Sequence, residues 1–147
     1  MAKFSSTVTT VTVDASPGGA AKIITPYVDS ISGMALETIT EQSNPFGSTA
    51  EGSTPVGMDK SPDLVISGLY DTTADVGSWT VLKQVAGDKA VGSVGRLVSI
   101  LAATGATWSG HYHLVKTEIL VSNGKLTRYA STFRPAQGTT GFDGAWS

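Results

Sequence analysis

His111 and His113 are the only histidines, and two residues apart on a strand they would send both imidazoles to one side, a spacing that a metal site can use. A zinc site needs a further ligand. Glu118, Asp71 and Asp75 could supply it, but no spacing ties them to the histidines, so a surface or interface role is favoured and no metal is expected. There is no cysteine, which excludes thiolate ligands and a disulfide scaffold. The run GDKAVGSVG holds Gly87, Gly92 and Gly95 but lacks the Lys-Ser/Thr end of a phosphate loop and the strand-glycine-helix order of a dinucleotide site. No G-x-S-x-G nucleophile elbow occurs. Asp63 and Asp71 bracket an apolar run that spans about 26 Å when extended, too far apart to act as one carboxylate pair; they read as turn residues at strand ends. Trp79 could stack on a sugar or base, yet in a short amphipathic segment it reads as core. No catalytic constellation and no cofactor site emerge, so the chain is not expected to be an enzyme.

Composition points the same way. At 147 residues the chain has the length of one domain, taken as residues 1–147, and a domain of that size buries about 68–70% of its unfolded surface. Charged residues make up 15% of it where about 25% is usual, and the net charge is only −2. A surface so weakly charged permits self-association. Lys22, Lys60, Lys83, Arg96 and Lys116 are scattered, whereas a duplex nucleic-acid binder clusters its cations against phosphate. No stretch approaches the roughly 20 apolar residues of a spanning helix, and the start, MAKFSSTVTTVTV, has no apolar signal core. A soluble protein made in the cytoplasm, with no membrane partner, is the expectation.

The elements that would position these residues are mainly strands. Lys3 to Asp14 is rich in Thr and Val, which suit a pleated strand, and Ser16-Pro17-Gly18-Gly19 stops it; residues 1–20 read as an N-terminal strand or arm. Ile23 to Glu41 reads as extended chain bent near Ser32-Gly33, with Pro26 at a strand edge or start. In DLVISGLYD, alternation places Leu64, Ile66 and Tyr70 on one face and Val65, Ser67 and Leu69 on the other, with Gly68 leaving room for a bulge or a close neighbour. This strand is expected to form a fixed edge of the fold. Trp79, Leu82, Val85 and Ala86 give one short helix, capped by Ser78 and ended by Gly87. Arg96 to Thr104 reads as a strand buried on both faces or at an interface. Asn123-Gly124 predicts a two-residue type I′ turn. That turn joins His111–Ser122 to Lys125–Arg134 and pairs Val121 with Leu126, Ile119 with Arg128, Thr117 with Ala130 and Val115 with Thr132, on a face directed to the core. Lys116, Glu118 and Ser131 would then share the opposite, amphiphilic face with Tyr129, Leu114 and Phe133. Residues 135–147 form a C-terminal arm whose Phe142 and Trp146 must dock, either on their own domain or on a neighbour.

The polar run over 42–60 reads as a loop far longer than the usual 4 to 6 residues. TPYVDSISGMALE, SNPFGS and SPDLVISGLYD, taken in this order around that loop and followed by a short helix, an apolar strand and a hairpin, resemble the major tail tube protein of long-tailed (siphovirus-type) bacteriophages. The likeness spans roughly Ile23 to Gly144.

That resemblance implies a mainly β, sandwich or barrel-like domain with one short α-helix. Such domains form hexameric rings that stack into a tube in the virion tail, with other tail proteins as partners and DNA passing through the lumen without sequence-specific binding. It makes 42–60 an inter-subunit loop and the termini assembly arms. Asn44, Pro45, Phe46, Ser48, Glu51, Pro55, Met58, Phe142 and Trp146 become candidate inter-subunit contacts, and Lys116, Glu118 and Ser131 candidate lumen residues. Two other readings stand beside it. One is a binding module, either a capsid decoration or a carbohydrate-binding β-sandwich protein, that uses the loop with Trp108 or Tyr112 as its contact surface. The other is a hydrolase with a loop lid, for which only the loop speaks.

Overall fold

The computed structural model describes residues 10–43, 52–103, 105–138 and 141–147. Ten strands follow in order: β1 (Thr10–Asp14), β2 (Ala21–Ile23), β3 (Ser30–Ser32), β4 (Glu37–Ser43), β5 (Gly52–Lys60), β6 (Leu64–Leu69), β7 (Arg96–Ala103), β8 (Ala106–Leu120), β9 (Arg128–Pro135) and β10 (Ala145–Trp146). One α-helix, α1 (Ser78–Leu82), lies between β6 and β7. The chain is thus mainly β with one short helix, as expected, but its sheets are open. An antiparallel sheet of eight strands runs β2-β1-β7-β8-β9-β6-β3, with β10 added to β8, and β4 and β5 form a separate two-stranded ribbon.

The large sheet exists because its strands alternate. Val11 and Val13, Leu64 and Ile66, Val98 and Ile100, Trp108, Tyr112 and Leu114, and Tyr129 and Phe133 all bury their side chains in one cluster, which Ile24 and the helical residues Val81 and Leu82 complete. Period-2 alternation sends this set to one face of the pleat. β7 buries Val98 and Ile100 but leaves Leu97 exposed, so within the chain it is covered on one face and not on both. The strand read from DLVISGLYD has the expected alternation, yet it is internal, flanked by β9 and β3. The edge belongs to β3, three residues long. Gly68 admits a close neighbour: a Cβ there would lie 1.9 Å from the Tyr27 carbonyl oxygen. Pro26 sits in a 3₁₀ turn, Thr25–Tyr27, where its fixed φ suits the first helical position.

Helix α1 is shorter than its apolar spacing suggested. Gly77 is its N-cap, and the chain turns extended at Lys83, so Ser78 does not cap and Gly87 does not terminate. Ser78 is instead fully buried and ties the helix to the end of β6, donating to the Leu69 carbonyl at 2.7 Å and accepting from the Asp71 N–H at 2.9 Å. Trp79 is half-buried against Tyr70, ring centroids 5.8 Å apart.

Arg96 fixes the helix over the sheet. Its guanidinium, fully buried, meets both carboxylate oxygens of Asp88 at 2.8 and 2.7 Å and donates to the carbonyls of Val81, Lys83 and Asp14. All five N–H donors of the planar fork are therefore used. Asp88 also accepts the Val85 N–H at 2.8 Å. One arginine thereby joins β7, β1 and the chain that leaves α1.

Candidate functional site

The hairpin of β8 and β9 carries the first group of candidates. Leu114 pairs with Phe133 and Lys116 with Thr132, so Val115 is an extra residue on β8, a β-bulge that shifts alternation by one. Before the bulge the even-numbered Trp108, Tyr112 and Leu114 face the core. After it Thr117 does, donating to the Leu82 carbonyl at 2.7 Å and lying 3.2 Å from the Ser131 hydroxyl. The pairing nearer the turn is Ile119 with Tyr129 and Thr117 with Ser131, one residue off the expected register. The turn itself closes by a Lys125 N–H to Ser122 carbonyl bond of 3.1 Å. Only Gly124, at φ +74°, is left-handed there, since Asp75 is the one non-glycine residue with positive φ among the described residues. A positive φ confined to the third position belongs to a type II turn, not type I′.

These shifts divide the expected lumen face. Lys116 and Glu118 remain exposed together, paired at 2.7 Å. Ser131 is fully buried on the other side with Tyr129 and Phe133. Burial, with Asp29 nearby, pushes the Tyr129 phenol well above its ordinary range, and its hydroxyl donates to the Tyr27 carbonyl at 2.9 Å. Beyond the bulge the hairpin outruns the core: Val121 is 76% and Leu126 73% exposed, with Ile119 and Leu120 about half exposed.

The C-terminal segment docks on its own sheet. β10 pairs Ala145 with Ser109 and Trp146 with Trp108, occupying β8 beyond the point where β9 ends. Phe142 packs between Tyr112 and Trp108, centroids 5.0 and 6.4 Å away, and Trp146 covers Trp108 at 5.3 Å. Gly110 makes room, since a Cβ there would stand 3.0 Å from the Phe142 ring. Trp108 and Tyr112 are fully buried and joined by an indole N–H to hydroxyl bond of 2.8 Å, so they are not a contact surface. Of the two aromatic contact candidates in this segment, Phe142 belongs to the chain's own packing, while Trp146 stays 48% exposed.

His111 belongs to the same latch. Its backbone N–H donates to one oxygen of Asp143 at 2.8 Å and its Nδ1 lies 2.6 Å from the other. Burial pushes the Asp143 carboxyl up, but these hydrogen bonds and the nearby imidazole outweigh it and hold the carboxyl below its ordinary value. The carboxylate beside His111 is thus Asp143, and not Glu118, Asp71 or Asp75. The Asp71 carboxyl is instead held low by Thr73, through the threonine side chain first and then its backbone N–H, which the carboxylate accepts at 2.7 Å. Among the described residues no three His, Cys, Asp or Glu side chains gather as a metal would require, and no hydroxyl hydrogen-bonds His111. A hollow of about 460 Å³ beside the pair is lined by Ser93, Val94 and Gln137.

The third group of candidates lies on the ribbon. β4 and β5 pair from Glu37 with Lys60 to Ser43 with Gly52, with an irregularity after Thr38. The expected loop over 42–60 is therefore strand at 42–43 and 52–60. Polar residues on both faces hid that from a period-2 reading. Pro55 sits opposite Thr40 and Met58 lies within β5; Asn44, Pro45, Phe46, Ser48 and Glu51 fall outside the described residues. Apart from half-buried Ile39, every ribbon side chain that is described is exposed.

With this geometry established, the solved structures add a likeness of the whole chain. The fold recurs in chains of solved particles. A chain in the tail of an empty gene transfer agent (GTA) particle, determined by helical refinement with C6 symmetry, superposes with a TM-score of 0.66 at 13% identity, covering 99% of this chain and 98% of that one. A chain in the virion of a native GTA particle gives 0.64 at 11%, covering 99% and 98%. One in the six-fold symmetrised baseplate of an anti-feeding prophage gives 0.63 at 12%, covering 100% and 96%. At such identities the likeness concerns the fold. No protein-family model matches the chain, and no curated protein matches it in sequence.

Proposed function

We propose that the protein is a structural, non-enzymatic subunit of a phage tail. It self-assembles into stacked hexameric rings that form the tube through which DNA is ejected into the host, in a virion of the long-tailed, siphovirus type, after synthesis in the host cytoplasm. The observation that carries this is the end-to-end likeness to a chain of a C6-symmetric tail, with no segment of the fold left over. The open sheet fits it. Its end strands β2 and β3 have three residues each, short enough not to aggregate at random, and among the described residues each has one side open to a neighbour. The exposed ribbon is the inter-subunit element, and Lys116 with Glu118 lines the lumen, where a paired lysine grips phosphate weakly and lets DNA slide.

Negative-stain electron microscopy of the purified protein tests this. Rings or tubes of one diameter are the expected result. A protein that stays monomeric at high concentration, and that no tail partner polymerises, overturns the reading.

A further inference from the structure

Two places in this chain set asparagine or aspartate directly before glycine, Asn123-Gly124 and Asp143-Gly144. There the backbone nitrogen of the glycine, once deprotonated, can attack the side-chain carbonyl carbon and close a five-membered imide. With no Cβ beside it, a glycine nitrogen is uncrowded. The other asparagine, Asn44, precedes Pro45, whose nitrogen has no proton to lose. The structure separates the two places. At Asp143 both carboxylate oxygens are held, one by the His111 N–H at 2.8 Å and the other by Nδ1 at 2.6 Å. Gly144 is buried so closely that a Cβ there would lie 2.1 Å from the Phe142 ring, and neither group is free to turn toward the other. Asn123 and Gly124 are exposed, and among the described residues neither the Asn123 amide nor the Gly124 N–H makes a hydrogen bond. One bond closes their turn, from the Lys125 N–H to the Ser122 carbonyl. Ring closure requires rotation about the Asn123 Cα–C bond, because a type II turn sets ψ at about +120° in its second residue. An exposed loop makes such rotations in nanoseconds to microseconds, far faster than amides react, so the fold leaves this pair free to meet.

We propose that Asn123 deamidates spontaneously in the folded chain. The Gly124 nitrogen bonds to Cγ of Asn123, the Cγ–Nδ2 bond breaks, and the side-chain nitrogen leaves as ammonia with the proton that Gly124 gave up. Water then opens the imide at either carbonyl and returns a proton to the glycine nitrogen. Opening at Cγ gives aspartate; opening at the backbone carbonyl gives isoaspartate, whose main chain runs one methylene longer through the former side chain. Water is the only co-reactant, and nothing is oxidised or reduced. Either product carries a carboxylate, so the formal net charge falls by one from −2. That charge lands at the end of the hairpin beside exposed Val121 and Leu126, where it interrupts the apolar surface of the tip and leaves the core untouched. The inference concerns the free chain and is independent of the assembly reading above.

Incubation of the full chain in mildly alkaline buffer tests the proposal, with circular dichroism checking that it stays folded. Against a sample digested at the start, the tryptic peptide Thr117–Lys125 is expected to gain one mass unit over days and to split into aspartate and isoaspartate forms. Ion exchange should resolve a more acidic intact chain over the same period. The peptide that carries Asp143 should hold no isoaspartate. Gly124→Ala is expected to slow conversion several-fold, because its Cβ crowds the attacking nitrogen; that Cβ meets no other atom within 4 Å, and a melting curve checks that the variant folds. Asn123→Gln, whose longer side chain would have to close a six-membered ring, should abolish conversion over the same period. A synthetic peptide of residues 117–125 supplies the reference rate. A folded chain that keeps Asn123 intact while that peptide largely converts would overturn the proposal. So would a Gly124→Ala variant that converts at the wild-type rate, or isoaspartate that accumulates at Asp143 as fast as at Asn123.

Discussion

Arg96 carries more of this structure than any other single side chain. It is fully buried, and its removal would leave the Asp88 carboxylate without its cation and three carbonyls without their donor. Breaking a buried pair from one side costs about 3–5 kcal/mol. Arg96→Ala should therefore lower unfolding stability by that order in urea titration, and Arg96→Lys should recover little, since an ammonium cannot span the fork. Asp143 acts more gently, being half exposed. Its carboxyl is held below its ordinary value of 3.8, so the latch it forms with His111 is at full strength above that value and is lost as pH falls through the lower folded value. The protection of the Ser147 amide, which donates to the Thr107 carbonyl at 2.8 Å, taken relative to an unstructured amide at the same pH, should fall on acidification from about pH 5 to about pH 2. In Asp143→Asn that acid dependence should flatten. Neither residue could be singled out from the sequence. Arg96 and Asp88 have no spacing that distinguishes a pair from two surface charges, and Asp143 meets His111 only because β10 folds back on β8.

At the scale of elements, local chemistry was legible where a pattern had one solution. The alternation of Leu64 and Ile66, the strand beginning at Arg96 and a turn at Asn123-Gly124 are all present, though the first strand ends at Leu69, before Tyr70. What was not legible were interruptions of pattern. Val115 looks like any other strand valine, yet as the bulge it reverses which residues of β8 meet the core, and Lys116 and Glu118 part from Ser131, which the regular alternation of β9 sends inside with Tyr129 and Phe133. The ribbon escaped because Thr, Ser and Glu on both faces give no apolar rhythm, although its Thr residues suit strands. That ribbon has a testable independence. A lone two-stranded hairpin is marginal in water, and its side chains lie outside the cluster that holds the large sheet. Replacing residues 37–60 by a short Gly-Ser linker should therefore change unfolding stability by no more than about 1 kcal/mol, since loop closure depends only weakly on length, and should abolish polymer in sedimentation. A collapse of the melting transition would show instead that the ribbon belongs to the folding unit.

For the whole molecule the telling feature is where apolar surface stays in water. The core is closed and, among the described residues, no buried side-chain polar atom lacks a partner, so the chain is internally satisfied. Yet the hairpin projects Ile119, Leu120, Val121 and Leu126 past that core. Scattered exposed leucines mean little, but four along one projecting tip form a patch, and patches mark contacts. Fully burying a valine or leucine side chain is worth about 1.5–3 kcal/mol, so a tip covered by a neighbour would contribute more to assembly than an exposed ion pair does. Val121→Asp combined with Leu126→Asp separates the two levels. Because both side chains are already about three-quarters exposed in the free chain, the double variant should melt like the wild type, within about 0.5 kcal/mol for each surface change. In analytical sedimentation it should remain monomeric at concentrations where the wild type polymerises, since burying a carboxylate there would cost more than the lost apolar contact. A variant that still forms tubes of wild-type diameter would place the tip in solvent within the assembled particle, and the ribbon and the sheet edges would then have to supply the contact between copies.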